Sequence, residues 1–334
     1  GHIRRPLDSN GQPQRFSERA VAEQLGFDFG WNPSAGGHTG LRPGFPHQVV
    51  KTLPDGSRHE QNGDGVIVLV RPGAVSIPAE IGHTLTDRES WEKEYLPRLQ
   101  FSPERIPVFS KEQLEAFERS EFPIGLACGS LYGKFRDYAG LVGACYILAD
   151  DEGLFKEIID TIAELCYRVT EGLLAQGLRP DFGHFWEDIC FKNGPLVNPE
   201  VFEEFCGPHY KKITDLFRAH GCDIVSLDCD GCIDALIPTW LENGVNTMFP
   251  IEVGTWGASM APWRAKFGPE LRGVGGMDKR VFARDYAAID AEIERLRPLV
   301  ELGGYIPCPD HRIPPDAKWE NIQYYCDRFR AVFG

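Results

Sequence analysis

Residues 223–249 read DIVSLDCDGCIDALIPTWLENGVNTMF. Asp223 to Leu227 is a short apolar run of strand length, Ile233 to Glu242 has the length of a helix, and Val245 to Phe249 is a second strand-sized run. A strand, a helix and a strand in immediate succession imply parallel β-structure with right-handed crossovers. The pattern extends in both directions. Upstream lie a strand from Phe122 to Cys128, a helix over 151–176, a strand from Phe182 to Glu187, and a helix that starts at the N-cap Asn198 with Pro199 at its first position and stops at Gly221. The 151–176 helix carries Leu154, Ile158, Ile162, Leu165, Val169 and Leu173 on one face. Downstream the reading gives helix Ser259–Phe267, strand Leu271–Val274, helix Ala283–Leu302, strand Tyr305–Cys308 and helix Trp319–Phe333.

Such an alternation closes either as a doubly wound sheet or as a barrel. No GxGxxG follows the early strands and no GxxxxGK[ST] occurs, so the nucleotide-binding readings lose their main support. The fold class expected is α/β, a single (β/α)8 TIM barrel over residues 76–334. Residues 1–75, rich in Gly, Pro, Asn and Asp, are expected to form a β-rich N-terminal elaboration of loops and a hairpin packed on the barrel. Its hairpin runs from Val49 to Leu53, turns at Pro54-Asp55-Gly56, and returns as Gly65 to Val70.

Composition sets the functional limits. The 334 residues hold 35 Lys and Arg against 49 Asp and Glu, a net charge of −14. The pI is near 5.1. No Lys/Arg run offsets this, so a nucleic-acid partner is not expected. The longest apolar runs, such as Val66 to Val70, are far short of the ~20 residues that span a bilayer. The start, Gly1-His2-Ile3-Arg4-Arg5, shows no apolar leader, and a cytoplasmic setting is expected. The ten cysteines lie in periodic segments and read as reduced thiols.

In a barrel the chemistry hangs from the C-terminal ends of the strands. Here five consecutive strand ends carry acids: Glu187-Asp188, Asp228-Cys229-Asp230-Gly231, Glu252, Asp278-Lys279, and Asp310-His311-Arg312. Acids crowded on one rim either push one another's pKa values apart, which creates acid and base roles, or hold a metal. Both readings stand. The catalytic candidates are Glu187, Asp230, Glu252, Asp278 and His311. The metal candidates are Asp228, Asp230 and His311, an O,O,N set for a divalent ion such as zinc. A competing thiolate set, Cys229 and Cys232 with Cys308 and His311, has zinc-like spacing, but Cys229 faces away from its aspartate neighbours on an extended segment. The plainer reading of the aspartates is helix capping and ion pairing with Lys279 or Arg312. Trp186 and Trp256 are candidate pocket walls or interlayer packing. Arg264, Lys279 and Arg312 are candidate substrate anchors or solvated side chains. His184, on a strand near the rim, reads as packed more readily than catalytic.

The stretches Trp186-Glu187-Asp188, Lys192-Asn193-Gly194-Pro195, Asp228 to Gly231, Pro250-Ile251-Glu252, Gly275 to Arg280, Gly303 to Ile306, Asp310 to Asp316 and Glu320-Asn321 resemble the uroporphyrinogen decarboxylase superfamily. The resemblance spans 186–321 and is loose before residue 120. It implies one TIM barrel. It also implies either a cofactor-independent decarboxylase (a lyase) or a methyltransferase that exchanges methyl groups with a corrinoid carried by a partner protein. In thiol-methylating members a His-x-Cys pair and a later Cys bind zinc. Asp228, Asp230 and His311 stand at those positions here, which places thiol activation in doubt while leaving a harder metal site open. The decarboxylases' Arg-Gln-Ala-Gly-Arg segment is absent. The reading is therefore a methyltransferase or demethylase acting on a small methylated substrate, with decarboxylation of a carboxylated substrate second and a non-catalytic corrinoid- or porphyrin-binding barrel third. A homodimer is a family-level expectation.

Overall fold

A computed structural model describes residues 18–27, 31, 33–74 and 77–334. An antiparallel meander comes first: β1 (Gln48–Thr52), β2 (Arg58–Gln61), β3 (Val66–Val70) and β4 (Ala79–His83), paired in that order. The sequence suggested only a hairpin here. Strand β2 is Arg-His-Glu-Gln, a polar segment without apolar alternation, and it forms because β1 and β3 both pair with it.

The parallel wall follows: β5 (Gly125–Gly129), β6 (Phe182–Trp186), β9 (Val225–Asp228), β10 (Thr247–Ile251), β11 (Arg272–Met277) and β12 (Tyr305–Pro309). A small hairpin, β7 (Cys190–Phe191) with β8 (Gly194–Pro195), leaves the end of β6. The six wall strands pair strictly in chain order. A doubly wound sheet reverses its order at a switch point. This wall never reverses, so it winds one way, as a TIM barrel does. On the far side of β5 the wall continues as a parallel bridge from Ala35 to Leu126, supplied by the chain before the meander.

Helices cover the outside of the wall. In the helix Glu152–Leu174, Leu154, Ile158, Ile162, Leu165, Val169 and Leu173 are all buried, so the predicted stripe is the face that packs. Asn198 caps the helix Pro199–Ala219 through a side-chain bond from the Glu200 N–H at 2.8 Å. The helix Tyr132–Asp150 breaks at Gly140, where φ is +70°. A Cβ there would lie 2.4 Å from the His83 imidazole, so glycine lets the meander press against this helix. Lys134, near its start, also lies 3.7 Å from Asp64 between β2 and β3. The meander thus sits beside the C-terminal end of β5. No helix among the described residues is long and apolar enough to cross a membrane.

Strand alternation defines the lumen. On β6, a Cβ at Gly183 would lie 2.9 Å from Phe217, and the Phe185 ring lies 5.0 Å from Tyr210. Both contacts are with the helix Pro199–Ala219, so Phe182, His184 and Trp186 face inward. In register, Trp186 pairs with Asp228 and Asp228 with Phe249. These side chains form the upper layer of the barrel mouth.

Candidate active site

The strand-end acids divide into two kinds. Glu187, Glu252 and Asp310 are buried, and each is tied to the backbone of a neighbouring rim loop. Glu187 accepts the N–H groups of Leu131 at 2.8 Å and Gly133 at 2.6 Å, the Ser130 hydroxyl at 3.3 Å and the Tyr210 hydroxyl at 2.5 Å. It thus holds the start of the helix Tyr132–Asp150 to β6. Burial pushes its carboxyl up to about 7, with these hydrogen bonds pulling the other way. Glu252 accepts the Gly231 N–H at 2.5 Å and the Thr255 hydroxyl at 2.9 Å. Asp310 accepts Gly254 N–H at 2.7 Å and Lys279 N–H at 3.3 Å. Acids that the sequence places together on the rim are therefore, in part, the ties between successive loops.

The open groups are Asp188, Asp228, Asp230 and His311, all half-buried. One carboxylate oxygen from each of Asp188, Asp228 and Asp230 lies within 4.8 Å of the others. His311 Nε2 lies 3.2 Å from Asp230 Oδ2. Asp188 is the only non-glycine residue with positive φ (+45°) among the described residues. This left-handed turn brings its side chain back to the mouth. Its carbonyl accepts from Arg136 at 3.1 Å, and its Oδ1 accepts the Asp230 N–H at 3.3 Å. Gly231, with φ +90°, lets the Asp228–Gly231 loop lie against the hairpin, since a Cβ there would be 2.6 Å from the Cys190 carbonyl oxygen.

The electrostatics follow from this crowding. Burial, then the charges of Asp188, Asp230 and Glu252, push Asp228 up to about 7. Asp230 is raised by burial and by Asp188, with His311 opposing. Three acids in a half-enclosed mouth hold more negative charge than they can keep unaided near neutrality.

The other predicted residues lie as follows. Asp278 caps the short turn Lys279–Ala283 and pairs with Arg280 at 2.7 Å, which holds its carboxyl low. Lys279 is engaged with Asp310, its Nζ at 4.0 Å. Trp186 is 37% exposed at the mouth. Trp256 is half-buried and packs on the core, 6.0 Å from Trp263, its indole Nε1 without a partner among the described residues. Arg312 is exposed. Arg264 is not at the mouth. Its guanidinium donates to the carbonyls of Leu271 at 2.5 Å and Gly303 at 2.6 Å, which precede β11 and β12, so it sits at the opposite end of the strands. The spacing of Arg264 after Glu252 misled because the intervening chain runs back down the barrel wall.

The thiolate set does not assemble. Cys229 turns into the wall, its sulfur accepting the Ile189 N–H at 3.3 Å, and burial raises its thiol well above the usual range. Asp188 was the residue that sequence reasoning passed over in favour of Glu187. The available signal was the two-residue period from Trp186, which places 186 and 188, not 187, on the inner face. A cavity of about 530 Å³ lies elsewhere, between Asp278 and the helix Tyr286–Glu301. Of its acids, Asp278 and Glu292 are paired with Arg280 and Arg295, and Asp285 caps the helix by accepting the Ala288 N–H at 2.9 Å.

Comparison with known proteins agrees with this architecture. No curated protein sequence matches the chain. Among solved structures, a methyltransferase from Methanosarcina mazei matches with a TM-score of 0.52 at 14% identity, over 78% of this chain and 73% of that one. A Listeria monocytogenes protein, described as a candidate vitamin-B12 independent methionine synthase, matches with a TM-score of 0.38 at 15% identity, over 69% of this chain and 71% of the other. The family model for uroporphyrinogen decarboxylase (URO-D) matches residues 123–332, more than half of the sequence. That stretch carries all six wall strands and every open acid at the mouth, and the chain belongs to the uroporphyrinogen decarboxylase family.

Proposed function

We propose that this chain is a methyltransferase that moves a methyl group between a small methylated substrate and a corrinoid carried by a separate protein, assisted by a divalent metal. The observation that carries the reading is the convergence of Asp188, Asp228 and Asp230, with His311 against Asp230, at one barrel mouth. The similar Methanosarcina fold is titled a methyltransferase, which agrees with the reading.

The residues fit a metal. The acid oxygens lie within 4.8 Å of one another, and burial together with the charges of Asp188, Asp230 and Glu252 raises Asp228 to about 7. Oxygen ligands with one imidazole suit a hard or borderline divalent ion, and thiolates are not among them. Asp188, Asp228 and Asp230 would hold it, with His311 as a fourth ligand or as the proton-handling group. When bound, such an ion supplies positive charge where the leaving heteroatom becomes an anion.

The chain's own groups do the rest. Asp230 fixes the His311 imidazole, and His311 delivers a proton to the leaving oxygen or nitrogen as the methyl group passes to the corrinoid, so that an alcohol or amine departs in place of an alkoxide or amide anion. Trp186 offers an apolar wall. Glu252 and Asp310 act through others, holding Gly231 beside Asp230 and the loop that carries His311.

The test is metal stoichiometry by elemental analysis and zinc titration, on the native chain, Asp230→Ala and His311→Ala. About one ion per chain, with at least ~10-fold weaker binding in Asp230→Ala, is expected from loss of one ligand. His311→Ala is expected to abolish turnover while the chain stays folded. A native chain that takes up no zinc or manganese overturns the metal-assisted reading and favours metal-free decarboxylation by the same acids.

A further inference from the structure

Asp188 reaches the mouth by a conformation that most residues avoid. A non-glycine residue in the left-handed region persists where its surroundings fix it. Two contacts act on this one. Its Oδ1 accepts the Asp230 N–H at 3.3 Å, and its carbonyl accepts from Arg136 Nη2 at 3.1 Å. The second contact grips the backbone itself, because the direction of a carbonyl follows the φ and ψ of its own residue.

Arg136 is carried to Asp188 by the loop tie already described. It lies near the start of the helix Tyr132–Asp150, which Glu187 holds through the Leu131 and Gly133 N–H groups. Gly133 permits the close approach, since a Cβ there would lie 2.1 Å from the Glu187 carbonyl oxygen. The Arg136 side chain is largely buried, 18% exposed. Asp137 meets its guanidinium at 3.1 Å, and Lys134 stands 3.6 Å from Asp137 on the other side. The charge of Arg136 is thus answered within its own helix, and what Asp188 receives is a fixed carbonyl. The Arg136 Nε is sealed from solvent without a partner among the described residues, which is unfavourable for a buried donor. Such a placement is that of a clamp, unlike that of a solvated surface arginine.

We propose that Arg136 is a positioning residue: by holding the Asp188 carbonyl it keeps that residue in the left-handed conformation that presents its carboxylate to Asp228 and Asp230. It acts through Asp188 and touches no reacting group. This deepens the metal-assisted reading and rests on it for what the three carboxylates hold, while the conformational claim stands apart from any metal.

The test joins crystal structures of the metal-free native chain and Arg136→Met to zinc titrations of both, of Asp188→Ala and of the double variant. Asp137 keeps Lys134 as its ion pair when Arg136 is removed, so Arg136→Met is expected to fold. Its Asp188 should take a negative φ, with the carboxylate outside the 4.8 Å cluster. Its zinc affinity should fall at least ~10-fold, as when a group that orients a metal ligand is lost. Asp188→Ala should also bind zinc more weakly, and adding Arg136→Met to it should change the affinity by less than about twofold, because the clamp then has no carboxylate left to position. A merely structural arginine would instead weaken binding by the same factor in both backgrounds. An Asp188 that keeps its positive φ in Arg136→Met, or losses that multiply in the double variant, overturn the proposal. A native chain that takes up no zinc removes the metal-assisted reading, and the φ of Asp188 in Arg136→Met then decides the positioning role by itself. If the Met variant does not fold, Arg136→Gln, too short to reach the carbonyl but still a polar neighbour for Asp137, takes its place with the same expected and overturning results.

Discussion

Glu187 was a catalytic candidate by sequence, and the structure makes it a tie; Glu187→Ala distinguishes the two. Removing the carboxyl strands the buried Leu131 and Gly133 N–H groups and the buried Tyr210 hydroxyl, while Ser130 is able to rotate to another acceptor. Each stranded buried group costs about 1–3 kcal/mol, and partial entry of water offsets some of this, so about 3–5 kcal/mol of stability should be lost. Tyr210→Phe removes one donor without stranding it and should cost only about 1 kcal/mol. The loss should also depend on pH. Burial raises Glu187 from 4.5 to about 7, so the folded chain holds a proton that the unfolded chain has released between those values. That contribution is fully present below about pH 4.5 and fades as pH rises through about 7. The alanine variant lacks it, so the gap to the native chain should be widest below about pH 4.5, and between pH 5–6 and pH 8 it should shrink by about 1–2 kcal/mol. Urea unfolding followed by circular dichroism at both pH values measures this. A Glu187→Ala chain within about 1 kcal/mol of native stability near pH 6 refutes the tie. If that chain had also lost metal binding, Glu187 would return to the site.

Three further outcomes are expected. Asp228 is raised to about 7 by burial and neighbouring acids, so it should add up to about 4 kcal/mol to the fall in native stability as pH climbs from about 4 to about 7, and Asp228→Asn should remove that part in urea titrations across the range. Saturating zinc should flatten it too, since metal binding replaces the proton, and zinc affinity should rise over the same interval in a pH series of titrations. Arg264→Met removes bonds to Leu271 and Gly303 at the far end of the barrel, so melting should show about 1–2 kcal/mol of destabilisation while zinc affinity stays within about twofold of native.

Much of the barrel was legible because its signal is local. A buried parallel strand is a short apolar run, and the helix that covers it shows one apolar stripe, so Val245 to Phe249 or Leu154 to Leu173 could be read without knowing what they touch. Strand β2 could not be read that way, since its polar residues pair only because β1 and β3 flank them. The run of acids at strand ends was likewise visible, and with it the rim on which a site would lie.

The sequence by itself determined the βα alternation, the family resemblance and the acidic strand ends. Only the tertiary structure decided which acids are open. Glu187 and Asp188 are adjacent and chemically alike, but the strand's two-residue period and a left-handed turn send one into the wall and the other to the mouth. Whether a carboxyl ties a loop or meets a substrate depends on which backbone N–H groups come within 3 Å of it from other strands. Those partners, Gly231 for Glu252 and Gly254 for Asp310, are 21 and 56 residues away along the chain. No local pattern encodes such distances, because they are fixed by how the barrel closes.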